Sequence, residues 1–236
     1  MQFSHLHNHS QFSLLDGASK ISSMFKKAKE DNMPAVAITD HGNMFGVFQF
    51  VAEAGKHGVK PIVGCEFYLV TDRHKQVFTK ELKDKRYHQL FLAKNPEGYQ
   101  NLIKLCSLGF MEGMYSKYPR IDKELVLKYH KGLIATTCCL GASVPQAILR
   151  AGEDEAEKEF KWWLDLFGED YYVEVQNHHI PEQQVVNEVL LRFAKKYNVK
   201  VIASNDSHYL DQKDANAHDI LLCINTGEKQ STPSYK

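Results

Sequence analysis

His5-Leu6-His7-Asn8-His9 sets three imidazoles at two-residue spacing inside Phe3 to Asn8, a segment that reads as a β-strand. Successive strand residues point to opposite faces, so the three rings are expected on one face, converging on a point. Imidazoles gathered in this way are common metal ligands. A single strand histidine is most often a satisfied structural residue. Three in alternation, with further histidines and carboxylates closing other strands, argue against that reading here.

Strand-like and helix-like segments alternate along the rest of the chain. Ser19–Asp31 predicts a helix with Ile21, Met24, Phe25 and Ala28 on one face. Ala35–Thr39 reads as a short apolar strand ending in Asp40-His41-Gly42, followed by a helix over Phe45–His57 and a strand over Pro61–Val70 that contains Cys65-Glu66. Residues 71–86, rich in Lys and Arg, read as an exposed loop before a strand at Tyr87–Ala93. Asn95-Pro96 opens a helix, Asn as cap and Pro in the first turn. Tyr115–Arg120 reads as irregular, and Leu133–Thr137 as a strand leading into Cys138-Cys139-Leu140-Gly141 and a helix. Glu153–Phe167 predicts a helix with an acidic start, stopped by Gly168. Tyr171–Gln176 and Lys200–Ser204 read as strands, Pro181–Tyr197 and Asp214–Ile224 as helices, with Asn205-Asp206-Ser207-His208 after the last strand.

About seven strands alternating with helices predict parallel βα units in an α/β fold, here a distorted (β/α)7 TIM-like barrel. No glycine-rich phosphate loop follows a strand, which weighs against an open nucleotide-binding sheet. His41, Glu66, Cys139, Asp206 and His208 fall at or just after different strand ends, and in a βα barrel those ends meet at the face that carries active sites. The expected division is one domain over residues 1–225 and a polar linker over 226–236.

Composition narrows the options. Lys plus Arg number 29 against 29 Asp plus Glu, so no broad positive field exists to hold nucleic acid unaided. Five cysteines without a CxxC spacing predict a reducing compartment, and with no apolar run near the roughly 20 residues of a membrane span the expectation is cytoplasmic, with no membrane partner. The donor set mixes imidazole, carboxylate and one thiolate candidate, which suits zinc or manganese, the thiolate favouring zinc. There are more donors than one tetrahedral ion can use, which predicts a multinuclear site with Glu66 as bridge. Two ions about 3.5–4 Å apart are a recurring device for phosphoester hydrolysis.

His7-Asn8-His9, Leu15-Asp16-Gly17, Thr39-Asp40-His41-Gly42-Asn43, Gly64-Cys65-Glu66, His88, Cys139-Leu140-Gly141 and Asn205-Asp206-Ser207-His208 resemble the motifs of the polymerase and histidinol phosphatase (PHP) family, almost end to end. Ser13-Leu14-Leu15-Asp16-Gly17-Ala18, Gly98-Tyr99-Gln100-Asn101-Leu102 and Val175-Gln176-Asn177-His178 place the likeness in the polymerase branch. The resemblance implies a seven-stranded barrel holding three divalent ions. His7, His9, Glu66 and Asp206 would hold one. Glu66, His88 and Cys139 would hold the second, and Asp16, His41 and His208 the third. It further implies 3′–5′ exonuclease action on the 3′ end of a DNA primer strand, with Glu66, Asp206 and His208 catalytic through a metal-bound hydroxide. The remainder of a polymerase chain and a proofreading exonuclease subunit would be partners. The other readings are a free-standing phosphomonoesterase, as in the histidinol phosphatases, and a metal-stabilised docking module.

Other positions stay open. His5 either orients a ligand or is structural; the family usually carries an acid there. Asp40 reads as a cap or a partner of a ligand, and Asp16 as a ligand or a turn residue. His88 opens its strand instead of closing it, so only the resemblance selects it. Cys138 reads as a buried hydrophobe, and His178 and His179 as pocket-lining or solvated. Arg73–Lys75, Lys80–Arg86 and Tyr115–Arg120 could contact single-stranded DNA, although solvated loops are the simpler reading.

Overall fold

The computed structural model describes residues 3–232. Helix α1 (Ile21–Glu30) buries Ile21, Met24, Phe25 and Ala28, the stripe its 3.6-residue spacing predicts. It precedes β1 (Ala35–Ile38), α2 (Val47–His57), β2 (Lys60–Val70) and β3 (Tyr87–Ala93). Helix α3 (Pro96–Glu112) begins with the Asn95 side chain accepting from Gly98 N–H and Pro96 in the first turn, as expected. There follow β4 (Arg120–Asp122), α4 (Lys123–Tyr129), β5 (Leu133–Thr136), α5 (Ser143–Arg150), α6 (Glu153–Phe167), β6 (Tyr171–Val175), α7 (Pro181–Tyr197), β7 (Lys200–Ala203) and α8 (Ala215–Thr226).

The strands form one curled sheet in the order β1-β2-β3-β5-β6-β7, with β4 paired to the far half of β2. Alternation sorts the side chains. Phe67, Phe91, Trp163 and Val173 sit in the main apolar cluster under the helices, whereas Leu90, Leu92, Cys138 and Cys139 belong to a smaller cluster with Leu6, Ile62 and Ile134. The sheet is not all parallel. β3 runs antiparallel to both β2 and β5, while β1–β2, β5–β6 and β6–β7 are parallel.

The opening segment departs from the predicted strand. Among the described residues it forms no ladder, because side chains take over backbone bonds: Asn8 N–H donates to Thr39 Oγ1, and the Asn8 amide donates to the His5 and Ala37 carbonyls. The segment still joins two parts of the molecule. Ala37 N–H donates to His5 O, Thr39 N–H to Asn8 O, and His9 N–H to Ser207 O. The chain bends at His7, which breaks the alternation. His7 and His9 are fully buried, but His5 turns away, its ring edge-on to Phe3 and lining a crevice with Asn8, Met24 and Asp31.

Two further expectations change. The irregular piece Tyr115–Arg120 ends in the first residue of β4, and α4 follows where no element is predicted, since a three-residue strand is too short to show a period. Arg73 and Arg120, read as solvated, are buried. The Arg73 guanidinium pairs with Asp122 and Glu112, and that of Arg120 with Asp84 and the Arg73 and Lys75 carbonyls. The polar tail from Thr226 is helical at its first residue, and Gln230 folds back onto Asn216 and Asp219. Residues 1–2 and 233–236, parts of the expected domain and linker, lie outside the described residues.

Candidate metal centre

Residues beyond the ends of parallel strands, together with the start of antiparallel β3, meet at one mouth of the curled sheet. Glu66 lies at its middle, on the inward face of β2 and 1 % exposed. Its Oε2 stands 3.1 Å from His9 Nε2, 3.5 Å from His7 Nε2 and 2.9 Å from His41 Nδ1. Its Oε1 stands 2.9 Å from His88 Nδ1 and 3.5 Å from Cys139 Sγ. Asp206 Oδ1 lies 3.1 Å from His9 Nε2 and 3.3 Å from His7 Nε2. Asp16 Oδ2 lies 2.8 Å from His41 Nε2 and 3.5 Å from His208 Nε2. All nine predicted donors therefore share one cluster.

The antiparallel run of β3 explains His88. His88 faces Tyr68 across the ladder, so the start of β3 lies beside the end of β2. A residue opening this strand reaches the same mouth that residues closing the others reach.

Hydrogen bonds fix how the rings present themselves. His7 Nδ1–H donates to Glu174 Oε1 at 2.8 Å, since a carboxylate there can only accept, and this leaves Nε2 turned inward. His9 Nδ1–H donates to Ser13 Oγ at 2.8 Å, and Ser13 donates onward to Asp40 Oδ1. His208 Nδ1–H donates to the Asp206 carbonyl. Asp40 thus acts as a partner of the site, gathering Ser10 and Ser13. The turn carrying Asp16 needs Gly17, where a Cβ would lie 2.1 Å from Ser10 O. Cys138 adopts φ +56°, a left-handed conformation costing about 1–2 kcal/mol for an L-residue, and the chain turns there to bring Cys139 toward His88.

The buried atoms His7 Nε2, His9 Nε2, His41 Nδ1, Glu66 Oε2 and Asp206 Oδ1 have no hydrogen-bond partner among the described residues. Buried polar groups are almost always paired, and an orphan costs about 1–3 kcal/mol. Five orphans facing one another, all of metal-ligating chemistry, fit divalent cations. Four groups of His, Glu, Asp and Cys donor atoms each lie within 4.8 Å of one another: His7, His9, Glu66 and Asp206; His41, Glu66 and His88; His9, His41 and His208; and Glu66, Cys138 and Cys139. Without cations the site's charges lean on each other. Burial works against ionisation of Glu66, but His88, His41 and His7 outweigh it and hold the carboxyl well below its usual range. Burial likewise opposes protonation of His41 and His88, yet Glu66 pushes them up to about 9 and about 11.

Sequence reasoning passed over Glu174. It is 1 % exposed and accepts from His7, Thr136, Gln176 and Ser204. The signal was present: a lone carboxylate in an apolar strand, the feature that singled out Glu66. Cys138 is more than a hydrophobe, its thiol lying 3.3 Å from Glu66 Oε1. His178 bonds the Asn205 carbonyl and Gln183, beside the centre and outside it, and His179 is exposed.

A centre of this composition at one mouth of a curled α/β sheet defines a class, and residues 5–178 match the PHP domain model; the chain belongs to the PHP domain family. Among named relatives it is 46% identical over 230 residues to the DNA polymerase III subunit alpha of Borreliella burgdorferi, covering 98% of this chain and 20% of that protein. To the same subunit of Thermus aquaticus it is 46% identical over 227 residues, covering 95% and 18%. The chain thus spans about a fifth of the length of these relatives. Two solved structures share the fold at low identity. A Bifidobacterium adolescentis protein, provisionally described as a metal-dependent phosphoesterase, aligns with TM-score 0.58 and 17% identity over 88% of both chains. An amidohydrolase from Chromobacterium violaceum aligns with TM-score 0.56 and 15% identity over 87% of both chains. No helix among the described residues is long and apolar enough to cross a membrane.

Proposed function

We propose that this chain is a metal-dependent phosphodiesterase acting as a 3′–5′ exonuclease on the 3′ end of a DNA primer strand. Residues 1–225 form its barrel domain and 226–236 lead toward the remainder of a cytoplasmic replicative polymerase. The observation that carries this reading is the convergence of unpaired buried donor atoms on Glu66. His7, His9, Glu66 and Asp206 would hold one cation. Glu66, His88 and Cys139 would hold a second, and Asp16, His41 and His208 a third, with zinc favoured by the thiolate and manganese or magnesium as the alternatives. Bound divalent ions supply two things, water of lowered pKa and stabilisation of charge on the phosphate and leaving oxygens.

The chain's own residues supply orientation. Glu174 and Ser13 lock His7 and His9 in the tautomer with Nε2 inward. Asp16, His41 and His88 stand at the open side, facing the groove through which a phosphodiester would enter. The polymerase relatives favour a phosphodiester over the small monoester of a histidinol phosphatase. A metal cage used for docking a proofreading subunit is the remaining reading, and it predicts bound metal without hydrolysis.

The test is elemental analysis of the purified chain together with exonuclease assays on primer-template DNA for wild type and Asp206→Asn. Metal bound to the chain, with 3′-end hydrolysis reduced about a hundredfold or more in the variant, supports the reading; changes to residues that only orient a ligand already cost about 10–100-fold. Activity that persists in Asp206→Asn exposes a contaminating nuclease. Turnover of phosphomonoesters with DNA left intact overturns the substrate assignment.

A further inference from the structure

The donors open into a groove of about 860 Å³ that the chemistry alone does not explain. A phosphate group and a water would fill only its inner end, where Asp16, His41 and His88 are shared with the metal cluster. The groove's outer walls are of two kinds. One carries Leu14, Leu15 and Phe45, which are 68 %, 44 % and 58 % exposed although each is apolar. Leu15 is held at φ +61°, a conformation that disfavours a leucine, by a tight turn in which the Ser13 carbonyl accepts from both Asp16 and Gly17. The Phe45 ring lies 5.7 Å from Phe110, which steadies it without covering it.

The second kind carries Lys85, Lys117 and Arg150, all exposed. None has a carboxylate partner among the described residues; Lys117 reaches the Asn225 amide oxygen and lies over the Tyr118 ring. The other charged groups there are spent on one another. Asp84 binds Arg86 and Arg120, and Arg86 also stacks on the Tyr118 ring, 3.8 Å from its centroid. In a chain of zero net charge, three unneutralised cations beside one groove are a local feature.

The geometry points to a subsite for the last nucleotides of a single DNA strand, with phosphates along Lys85, Lys117 and Arg150 and unpaired bases against Leu14, Leu15 and Phe45. A cationic track beside apolar and aromatic platforms is the arrangement that holds single strands without reading sequence. Duplex fits poorly, because its bases are stacked and paired and leave the apolar wall uncovered. The inference rests on the exonuclease reading for its substrate class and adds the residues that hold the strand.

Binding is tested apart from hydrolysis by fluorescence anisotropy of a labelled oligothymidylate in excess chelator. Joint replacement Leu14→Ala and Phe45→Ala should weaken binding about tenfold with the salt slope unchanged, since stacking on one platform is worth roughly that factor. Joint replacement Lys85→Ala, Lys117→Ala and Arg150→Ala should reduce the slope of log K against log salt by about 2, at roughly 0.7 per phosphate contact. Val185→Ala, exposed on α7 and outside the groove, should change neither. Parental affinity in both groove variants overturns the inference, as does equal binding of a blunt duplex. Hydrolysis of bis(p-nitrophenyl) phosphate by the unaltered metal-loaded chain reports on the chemistry alone. Its absence with strand binding intact sinks the hydrolytic reading and leaves the groove standing.

Discussion

One end of the sheet-lined interior gathers His41, Asp16, Tyr68 and His88 around a cavity of about 860 Å³, while the other end opens into a cavity of the same volume lined by Leu6, Ile62, Leu92, Ile134 and Ile202. The same strands feed both. β2 contributes Ile62 near its start and Glu66 further along, and β3 contributes His88 at its start and Leu92 near its end. At the apolar end, burial alone supplies the stabilisation, at about 25 cal/mol per Å² removed from water. At the polar end, buried donors destabilise the fold until something pairs with them. The contrast separates a part of this molecule built from apolar contacts from a part whose buried polar atoms lack hydrogen-bond partners among the described residues.

The largest expected effect breaks the polar end alone. Chelation should abolish hydrolysis and lower the melting temperature by about 10 °C, because a ligand at roughly a thousand times its dissociation constant contributes about 4 kcal/mol and each kcal/mol shifts a chain of this size by about 2–4 °C. A thermal melt with and without EDTA measures it, and an unchanged melt would mean the donors are content without cations. Next comes Leu92→Ala at the apolar end. Leu92 is buried, and its truncation should cost about 2–5 kcal/mol in a denaturant titration while metal content stays at the parental level. Loss of metal in that variant would show that the two ends are coupled.

Glu174→Gln should weaken metal affinity about 10–100-fold with the fold retained, since the carboxylate that orients His7 is replaced by an amide of the same shape. Competition against a chromophoric chelator reads this out. The smallest effect is one of pH. Folding raises His41 from 6.5 to about 9, so its contribution to the metal-free chain is complete below pH 6.5 and is lost as pH climbs through 9. Metal-free protein should therefore melt lower at pH 9 than at pH 6.5, which thermal melts at the two pH values read directly. Metal-loaded protein should show the opposite slope, because cations bind the deprotonated rings.

Much of this was legible in the residues. α6 and α7 occupy the predicted Glu153–Phe167 and Pro181–Tyr197, because long amphipathic runs with Gly or Pro at their edges carry their own boundaries. The cluster of nine donors followed from motif wording and strand ends. What escaped depended on tertiary pairing. His5 faces away because side-chain hydrogen bonds disrupt the first strand, and period two holds only in a regular one. The seventh strand is β4, not the histidine segment, and nothing in Arg120-Ile121-Asp122 marks it before its partners Arg73 and Asp84 are seen in space. The direction of β3 was invisible for a related reason, since a strand reads the same whichever way it is inserted.

That inverted strand shapes what the molecule can recognise. In a parallel crossover, the chain leaving β2 would travel back to the far end before the next strand began. Here the exit from β2 and the entry to β3 lie side by side, so the connection over 71–86 leaves and returns at the mouth that carries the donor cluster. It arrives there anchored by Arg73 and delivers Lys85 and Arg86. Away from Arg73, Lys75 and Asp84, which hold Asp122 and Arg120, length and charge in this connection can be altered without moving a ladder bond, which leaves room there to retune what the groove admits.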